Sequence, residues 1–218
     1  MVDLAPMARS PAKREERRQQ ILLCARDAFA EHGYQAVTVD DVVARARIAR
    51  GTFYLYFDDK RAVLDALVDD FLRRIGSCIV GIDIGHGRDS PREQLRQNVE
   101  RITRMALSDP AMVKVALRDA TGLDPAFDAK IRSFYEALRT LIGESLSEGQ
   151  QNGIVRAGDR AVMVSIGLGG LKELVLDAVT GELARTPEQL VDELMRFLDQ
   201  GLLVAGRANR VRSTPPRA

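Results

Sequence analysis

The chain has 218 residues, of which 45% are hydrophobic and 29% charged, and its formal net charge is +1. This is the composition of a folded globular protein with one sizeable domain or two small ones. No apolar run approaches the roughly 20 residues that span a bilayer, and the start lacks the apolar core of a signal peptide. We therefore expect a cytoplasmic protein with no membrane partner. The near-neutral charge excludes nucleic-acid binding by the whole surface, so any such binding depends on local patches.

Helical patterns run along nearly the whole chain. Apolar residues recur at spacings of three and four, and the alternating pattern of strands is missing. Four helix starts are marked by a capping residue followed by proline: Ser90-Pro91, Asp109-Pro110, Asp124-Pro125 and Thr186-Pro187. Five glycines are placed to end helices: Gly33, Gly122, Gly153, Gly181 and Gly206. The sequence therefore predicts an all-α protein with about nine helices.

The first sixty residues predict a small helical unit. A first helix is expected over residues 13–32, and a second begins at a capping box formed by Thr38 and Asp41. A short turn at residues 47–48 leads to a brief third helix that ends at about Tyr56, and a long fourth helix follows. The spacing of the second and third helices is that of a helix-turn-helix motif.

The third helix is unusually aromatic and has two different sides on a helical wheel. Phe53 and Phe57 are expected in the core. The opposite arc carries Arg50, Gly51, Tyr54 and Leu55. An arginine there can bind guanine O6 and N7 together, and a tyrosine ring can contact thymine methyl groups or a phosphate. Groups at nearby helix ends can hold phosphates: the candidates are Thr38, Thr52, Tyr56 and Lys60.

The stretch from Arg17 to Leu67 contains the motifs AFAEHGYQAVTVDDVVARA, GTFYLYF and DKRAVLDAL. It resembles the DNA-binding domain of the tetracycline-repressor (TetR) family of transcriptional regulators. The all-helical remainder is similar to the family's ligand-binding and dimerisation domain in length and layout. The resemblance implies a helix-turn-helix motif over residues 40–59. The family's DNA-contacting positions would be Thr38, Arg50, Gly51, Thr52, Tyr54, Tyr56 and Lys60.

The chain departs from the family's pattern at two positions. Arg47 stands where the family usually has glycine in the turn, and Ala49 where it usually has a Ser or Thr cap on the third helix. Replacing a Ser cap by Ala costs a helix about 1 kcal/mol. We therefore expect the start of the third helix to be loose until DNA orders it. Arg47 either gains a phosphate contact or is simply solvated.

The resemblance also implies two domains. The DNA-binding domain is expected over residues 13–60 and the ligand-binding and dimerisation domain over residues 61–206, with flexible tails at 1–12 and 207–218. The helix over residues 162–178 is apolar on more than one face, so we expect the last two helices to pair with a second copy in a four-helix bundle. The candidate interface residues are Gly167, Gly170, Leu174, Leu194, Phe197 and Leu198.

These features predict a homodimeric DNA-binding transcriptional regulator. By the resemblance it would be a repressor that binds a palindromic operator and is released by a small, largely apolar ligand. Flexible and aromatic side chains suit such a pocket: the candidates are Phe71, Met105, Met112, Phe134, Tyr135, Leu138 and Met163. The alternatives are a ligand-independent architectural DNA-binding protein and, less favoured, a small helical enzyme.

No catalytic, metal or cofactor site is expected. The sequence contains no phosphate-binding or dinucleotide-binding motif and no paired acid and base. Asp83, His86 and Asp89 could be metal ligands, but a lone histidine with two carboxylates in a glycine-rich stretch is more typical of an exposed loop.

Overall fold

The computed structural model describes residues 11–85, 89–119 and 125–203. Within these ranges it contains nine α-helices, one π-helical turn and a single isolated β-bridge, which confirms the predicted all-α fold. The helices are α1 Pro11–His32, α2 Val39–Ala46, α3 Arg50–Tyr54, α4 Lys60–Cys78, α5 Pro91–Leu107, α6 Pro110–Lys114, α7 Pro125–Gln151, α8 Arg160–Thr180 and α9 Pro187–Gly201, and the π-helical turn is Val115–Asp119. No helix in the described ranges is both long and apolar enough to cross a membrane.

Three of the predicted helix starts are confirmed by their hydrogen bonds. The Ser90 hydroxyl accepts a bond from the N–H of Glu93 at 3.2 Å, and Thr186 and Gln189 form a reciprocal capping box. Asp109 caps α6 through its carboxylate. These caps satisfy N–H groups that have no partner inside their own helix.

Three predicted glycine stops have left-handed backbone conformations. The φ angles are +80° at Gly33, +65° at Gly153 and +90° at Gly181. Glycine adopts this conformation without the clash that a Cβ atom would cause, so the chain can turn away at the end of each of these helices. Outside the described residues lie the predicted cap Asp124 and the predicted stops Gly122 and Gly206.

Internal contacts divide the chain into two compact units that meet between Asp70 and Phe71, within α4. The predicted domain boundary, between residues 60 and 61, lies at the first residues of the same helix. The core of the first unit consists of apolar side chains from α1 to α4 and the loops between them. Its buried members are Ile21, Leu22, Ala25, Ala28, Phe29, Val37, Val42, Ala46, Phe53, Phe57, Val63, Leu64, Leu67 and Val68.

In the second unit, α5 packs against α9 and α7 against α8. Leu194 on α9 is only 8% exposed and belongs to a buried cluster with Val99, Val191 and Met195. Leu174 and Leu198 pack partly buried against the same cluster. Leu194, a candidate interface residue, is therefore already covered within the subunit by α5 and α8.

Other apolar side chains of α8 and α9 are exposed. Val162, Ile166 and Phe197 are 54%, 52% and 60% exposed. Gly167 and Gly170 have open space where a Cβ atom would stand, as a close helix contact requires. Of the predicted interface residues, Phe197, Gly167 and Gly170 are therefore accessible to a partner helix, and the interface itself stays a prediction.

Candidate DNA-binding surface and ligand cavity

Two polar contacts fix α2 against α1. The side-chain amide of Gln20 donates a hydrogen bond to the carbonyl of Ala46, the last residue of α2, at 2.8 Å. Arg45 donates two bonds to the Glu31 carboxylate at 2.6 and 2.7 Å, and these bonds lower the pKa of Glu31. Both terminal nitrogens of the Arg45 guanidinium are thus bonded to the Glu31 carboxylate. These contacts set the orientation of α2 before any DNA is present.

The predicted capping box at the start of α2 is confirmed. The Thr38 hydroxyl donates to Oδ2 of Asp41 at 2.6 Å and accepts from the N–H of Asp41 at 3.3 Å. The backbone N–H of Thr38 donates to the same carboxylate at 2.8 Å. These bonds lower the pKa of Asp41. Since the hydroxyl proton is already donated, the predicted phosphate contact of Thr38 requires a rearrangement or the N–H groups nearby, and it stays a prediction.

The turn between α2 and α3 has the geometry that usually demands glycine. The N–H of Ile48 bonds to the carbonyl of Val43 at 3.2 Å, and the N–H of Arg47 bonds to the carbonyl of Ala44 at 3.1 Å. This is the pattern of a Schellman motif. Its left-handed residue is Arg47, with φ 51° and ψ 48°. Arg47 is exposed, and its side chain has no hydrogen bond or ion pair within the described part of the chain.

The short helix α3 separates core from surface. Phe53 is fully buried and Phe57 nearly so, which confirms their predicted place in the core. The helix ends at Tyr54 and not at about Tyr56, because the chain tightens into a turn after one and a half turns of helix. Ala49 precedes the helix without a side-chain cap, as its sequence predicts.

Arg50 and Tyr54 lie together on the exposed side of α3. The Arg50 guanidinium forms an ion pair with Asp40 of α2 at 3.0 Å and a long hydrogen bond to the Tyr54 hydroxyl at 3.4 Å. Its carbon lies 5.9 Å from the centre of the Tyr54 ring. The bond to Tyr54 and the charge of Asp40 raise the pKa of Arg50. Asp40 was missed by sequence reasoning, since no local pattern reveals a pair ten residues apart across a turn.

The remaining predicted contacts divide by exposure. Gly51 is open to solvent, and Leu55 is 65% exposed beside Tyr54. Thr52 and Tyr56 are half-buried. The structure therefore brings four predicted residues onto one exposed surface, formed by α3 and the residue that follows it and here called the α3 face: Arg50, Gly51, Tyr54 and Leu55.

Lys60, predicted to hold a phosphate, is instead bonded to backbone carbonyls of the protein. Its ammonium donates hydrogen bonds to the carbonyls of Tyr34, Gln35 and Val37 at 3.0, 3.2 and 2.8 Å. It also lies 4.5 Å from the centre of the Tyr34 ring. An ammonium group has three N–H donors, so all are used. Lys60 thereby fastens the start of α4 to the loop that leads into α2.

The second unit contains a cavity of about 300 Å³. Its walls come from α5, α7, α8, α9 and residues 79–84, here called the strap. In the strap Ile82 and Ile84 are half-buried and line the cavity, while Gly81 before them and Asp83 between them are exposed. The alternation of isoleucine with small or polar residues is the sequence signal that could have identified the strap as a wall.

Polar side chains on one face of α5 hold the strap in place. Asn98, only 7% exposed, accepts a hydrogen bond from the N–H of Val80 at 3.0 Å and donates one to its carbonyl at 2.7 Å. Gln94 makes the same pair of bonds with Asp83, both at 2.8 Å. Arg101 donates to the carbonyl of Cys78 at 2.9 Å. The spacing of 94, 98 and 101 places all three on one side of a helix.

The predicted pocket residues are mostly elsewhere. Met163 lines the cavity, but the other six do not. Phe71, Met112 and Leu138 are buried core residues, and Met105, Phe134 and Tyr135 are half-buried. These six therefore do not line this cavity, and their assignment to a ligand pocket stays a prediction, since flexible and aromatic side chains fill core space as readily as they line a pocket. Of the candidate metal ligands, Asp83 binds Gln94 through its backbone, and His86 lies outside the described residues.

Two family models match this chain. The model for bacterial regulatory proteins of the tetR family matches residues 21–67, which include α2, α3 and the α3 face. The model for the tetracyclin repressor-like C-terminal domain matches residues 88–175, which include much of the cavity wall. The chain belongs to the TetR family of transcriptional regulators. It is thus a DNA-binding regulator with a helix-turn-helix motif.

Relatives resemble it over most of their length. The chain is 22% identical over 195 residues to the helix-turn-helix regulator YdgC of Bacillus subtilis, across 89% of this chain and 97% of the relative. It is 26% identical over 157 residues to the regulator EthR of Mycolicibacterium smegmatis, across 70% and 71%. The solved structure of the regulator FadR from Bacillus subtilis in complex with stearoyl-CoA has a TM-score of 0.66 and 23% identity, across 84% and 98%.

Proposed function

We propose that this TetR-family regulator is a homodimeric repressor that binds a palindromic operator through the α3 face. The observation that carries the proposal is the contrast between adjacent residues of α3: Phe53 is fully buried, whereas Tyr54 is 46% exposed beside Arg50. A short helix anchored by one face and polar on the other suits the major groove. Arg50 would read a guanine, and Gly51 would let the backbone approach the DNA closely.

Dimerisation would use the exposed apolar residues of α8 and α9. Val162, Ile166 and Phe197 supply an apolar surface, and the open space at Gly167 and Gly170 would admit a partner helix. A two-fold dimer would present two α3 faces to half-sites one helical turn apart, roughly 34 to 36 Å. The rigid connection would raise affinity well above that of a single subunit.

A ligand in the cavity would control DNA binding. The cavity favours a ligand-responsive regulator over an architectural DNA-binding protein, which needs no apolar space of this kind. That FadR has been solved with stearoyl-CoA supports an apolar ligand for this chain as well. The strap would connect the two functions, since it lines the cavity and continues directly from the C-terminal end of α4. A ligand that displaces the strap would favour another position of α4, whose N-terminal end Lys60 fastens beside α2.

Selection of bound fragments from random DNA tests the proposal. We expect enriched fragments to contain two inverted half-sites about 10 base pairs apart, centre to centre. A reporter gene behind the selected sequence should be expressed less when the regulator is present. Enrichment without inverted symmetry would contradict the dimeric mode of binding, and raised expression would make the protein an activator.

A further inference from the structure

The kinds of side chain that line the cavity say more about the ligand than the fact that the cavity is apolar. Nearly every lining side chain is aliphatic, and Phe197 is the only aromatic residue among them in the described ranges. Two of the three polar lining residues are already satisfied. Asn98 binds both backbone groups of Val80, and Ser145 donates to the carbonyl of Leu141 at 3.2 Å. The wall therefore offers an aliphatic chain much contact area and a flat aromatic ligand little stacking.

The third polar lining residue is Arg156, the only charged side chain of the described cavity wall. It follows α7, and its backbone is fixed beside the end of α9: the N–H of Arg156 bonds to the carbonyl of Leu202 at 3.0 Å, and Val155 forms a β-bridge with Leu203. This backbone pairing is independent of the side chain. Because Arg156 is an exposed residue, its guanidinium lies at the solvent-facing end of the cavity, near the end of α9.

The Arg156 guanidinium has donors to spare. Its Nε–H bonds to the carbonyl of Gly201, and one N–H of Nη1 bonds to the carbonyl of Ala157 at 3.1 Å. A guanidinium has five N–H donors. The two of Nη2 and one of Nη1 have no partner within the described part of the chain. Adjacent free N–H groups of this kind form the fork that binds a carboxylate or phosphate through two hydrogen bonds.

We propose that the ligand is an aliphatic chain with an anionic end, and that Arg156 binds the anion while the chain fills the cavity. The proposal rests on the proposed function, because it names the class of ligand for the same cavity. The charge of Arg156 would repel a cationic ligand, and the described wall has no carboxylate that could pair with such a ligand. A neutral chain would gain nothing from the free donors. A fatty acid and a fatty acyl thioester of a nucleotide share the required chemistry.

Probes that share one aliphatic chain and differ only in the end group isolate the contribution of the anion. Decanoate, decanol and decylammonium are matched probes, because they have the same chain and an anionic, neutral or cationic end. Decanoyl-CoA tests whether the anionic group belongs to a fatty acyl thioester of a nucleotide and not to a fatty acid.

Titration calorimetry on the full-length protein without DNA tests the proposal. Decanoate or decanoyl-CoA should bind at least about tenfold more tightly than decanol, since a charge-assisted pair of hydrogen bonds is added. Decylammonium should bind most weakly. If decanol binds as tightly as both anionic probes, or if none of the four binds, the proposal is wrong. DNA binding is measured separately, so that result would leave the DNA-binding part of the proposed function standing.

Substitution of the arginine provides the second test. Arg156→Gln should weaken the anionic probe about tenfold and leave decanol unchanged, so that the preference for the anion disappears. Arg156→Lys, which keeps the charge, should retain part of the preference. Arg185→Gln is the matched control, because Arg185 is exposed between α8 and α9 and does not line the cavity. Equal weakening of decanoate and decanol in Arg156→Gln would mean that Arg156 supports only the cavity wall, and would overturn the proposal.

Discussion

The α3 face and the cavity differ in how the chain builds them. The α3 face is held by bonds at helix ends and between neighbouring helices of the first unit, such as the capping box at Thr38 and the contact of Gln20 with Ala46. The cavity is enclosed by segments spread from residue 79 to residue 203. The first site depends on local geometry, and the second depends on how distant helices pack.

This difference determines what a single substitution can do. In the first unit, removal of one polar contact should change a local angle or a local stability while the helices remain. In the second unit, the cavity wall and the core share residues such as Val99 and Leu194, so a change in one disturbs the other. Each prediction below tests one side of this contrast.

The largest effect is expected in the second unit, from Leu194→Glu. A carboxylate at this buried position would have no partner, and the cost of burying it is on the order of 3 to 5 kcal/mol. We expect loss of helical circular dichroism at a much lower temperature. Phe197→Glu is the matched control, because Phe197 is exposed three residues along the same helix. It should keep the melting temperature and reduce the dimer fraction in light scattering. A stably folded Leu194→Glu, or a Phe197→Glu that stays dimeric, would contradict the respective assignment.

A smaller effect is expected in the first unit from Lys60→Met. The change leaves three carbonyls without their donor, which should lower the stability of this unit by about 1 to 3 kcal/mol. Chemical denaturation measures the loss, with Arg14→Met as a control for charge, because Arg14 is exposed and has no hydrogen bond or ion pair in the described chain. The salt dependence of DNA binding tests the earlier phosphate prediction separately. Unchanged stability with a salt slope reduced by about 1 would mean that Lys60 binds phosphate and does not fasten the loop.

Arg47→Gly should stabilise the protein. A non-glycine residue in the left-handed region costs about 1 to 2 kcal/mol, and glycine removes this cost. The greater freedom of glycine in the unfolded chain offsets part of the resulting gain in stability. We expect a net gain of about 0.5 to 1 kcal/mol in denaturation. If Arg47 also contacts a phosphate, the same variant should lose affinity for all DNA sequences alike. A destabilised Arg47→Gly would contradict the strained turn.

The smallest effect concerns pH. The pKa of Asp41 is lowered by its hydrogen bonds from Thr38, so its carboxylate stabilises the fold above its unfolded-state pKa of about 4. That contribution is lost as the pH falls through the lower, folded pKa. The melting temperature of the parent should therefore drop on acidification, and the melting temperature of Asp41→Asn should drop less. Asp58→Asn, which removes a carboxylate without a hydrogen bond or ion pair in the described chain, should behave like the parent.

The sequence predicted the first unit well because its determinants are local. Thr38 and Asp41, or Phe53 and Tyr54, reveal a cap or a buried face within a few residues. The partner of Arg50 and the partners of Lys60 could not be predicted, since both depend on how a turn brings separate segments together. For the cavity, Met112 and Leu138 have the same side-chain chemistry as a pocket wall but are buried in the core. Only packing between distant helices distinguishes the two.

The central claim is that the α3 face reads the operator, and a salt titration of Arg50→Ala tests it most directly. The variant and its parent are titrated against the selected operator and against a scrambled sequence of the same length. We expect Arg50→Ala to lose about 1 to 3 kcal/mol on the operator and much less on the scrambled DNA, with relaxed preference at one base pair in each half-site. An Arg50→Ala variant that binds the operator as tightly as the parent at every salt concentration would contradict the claim.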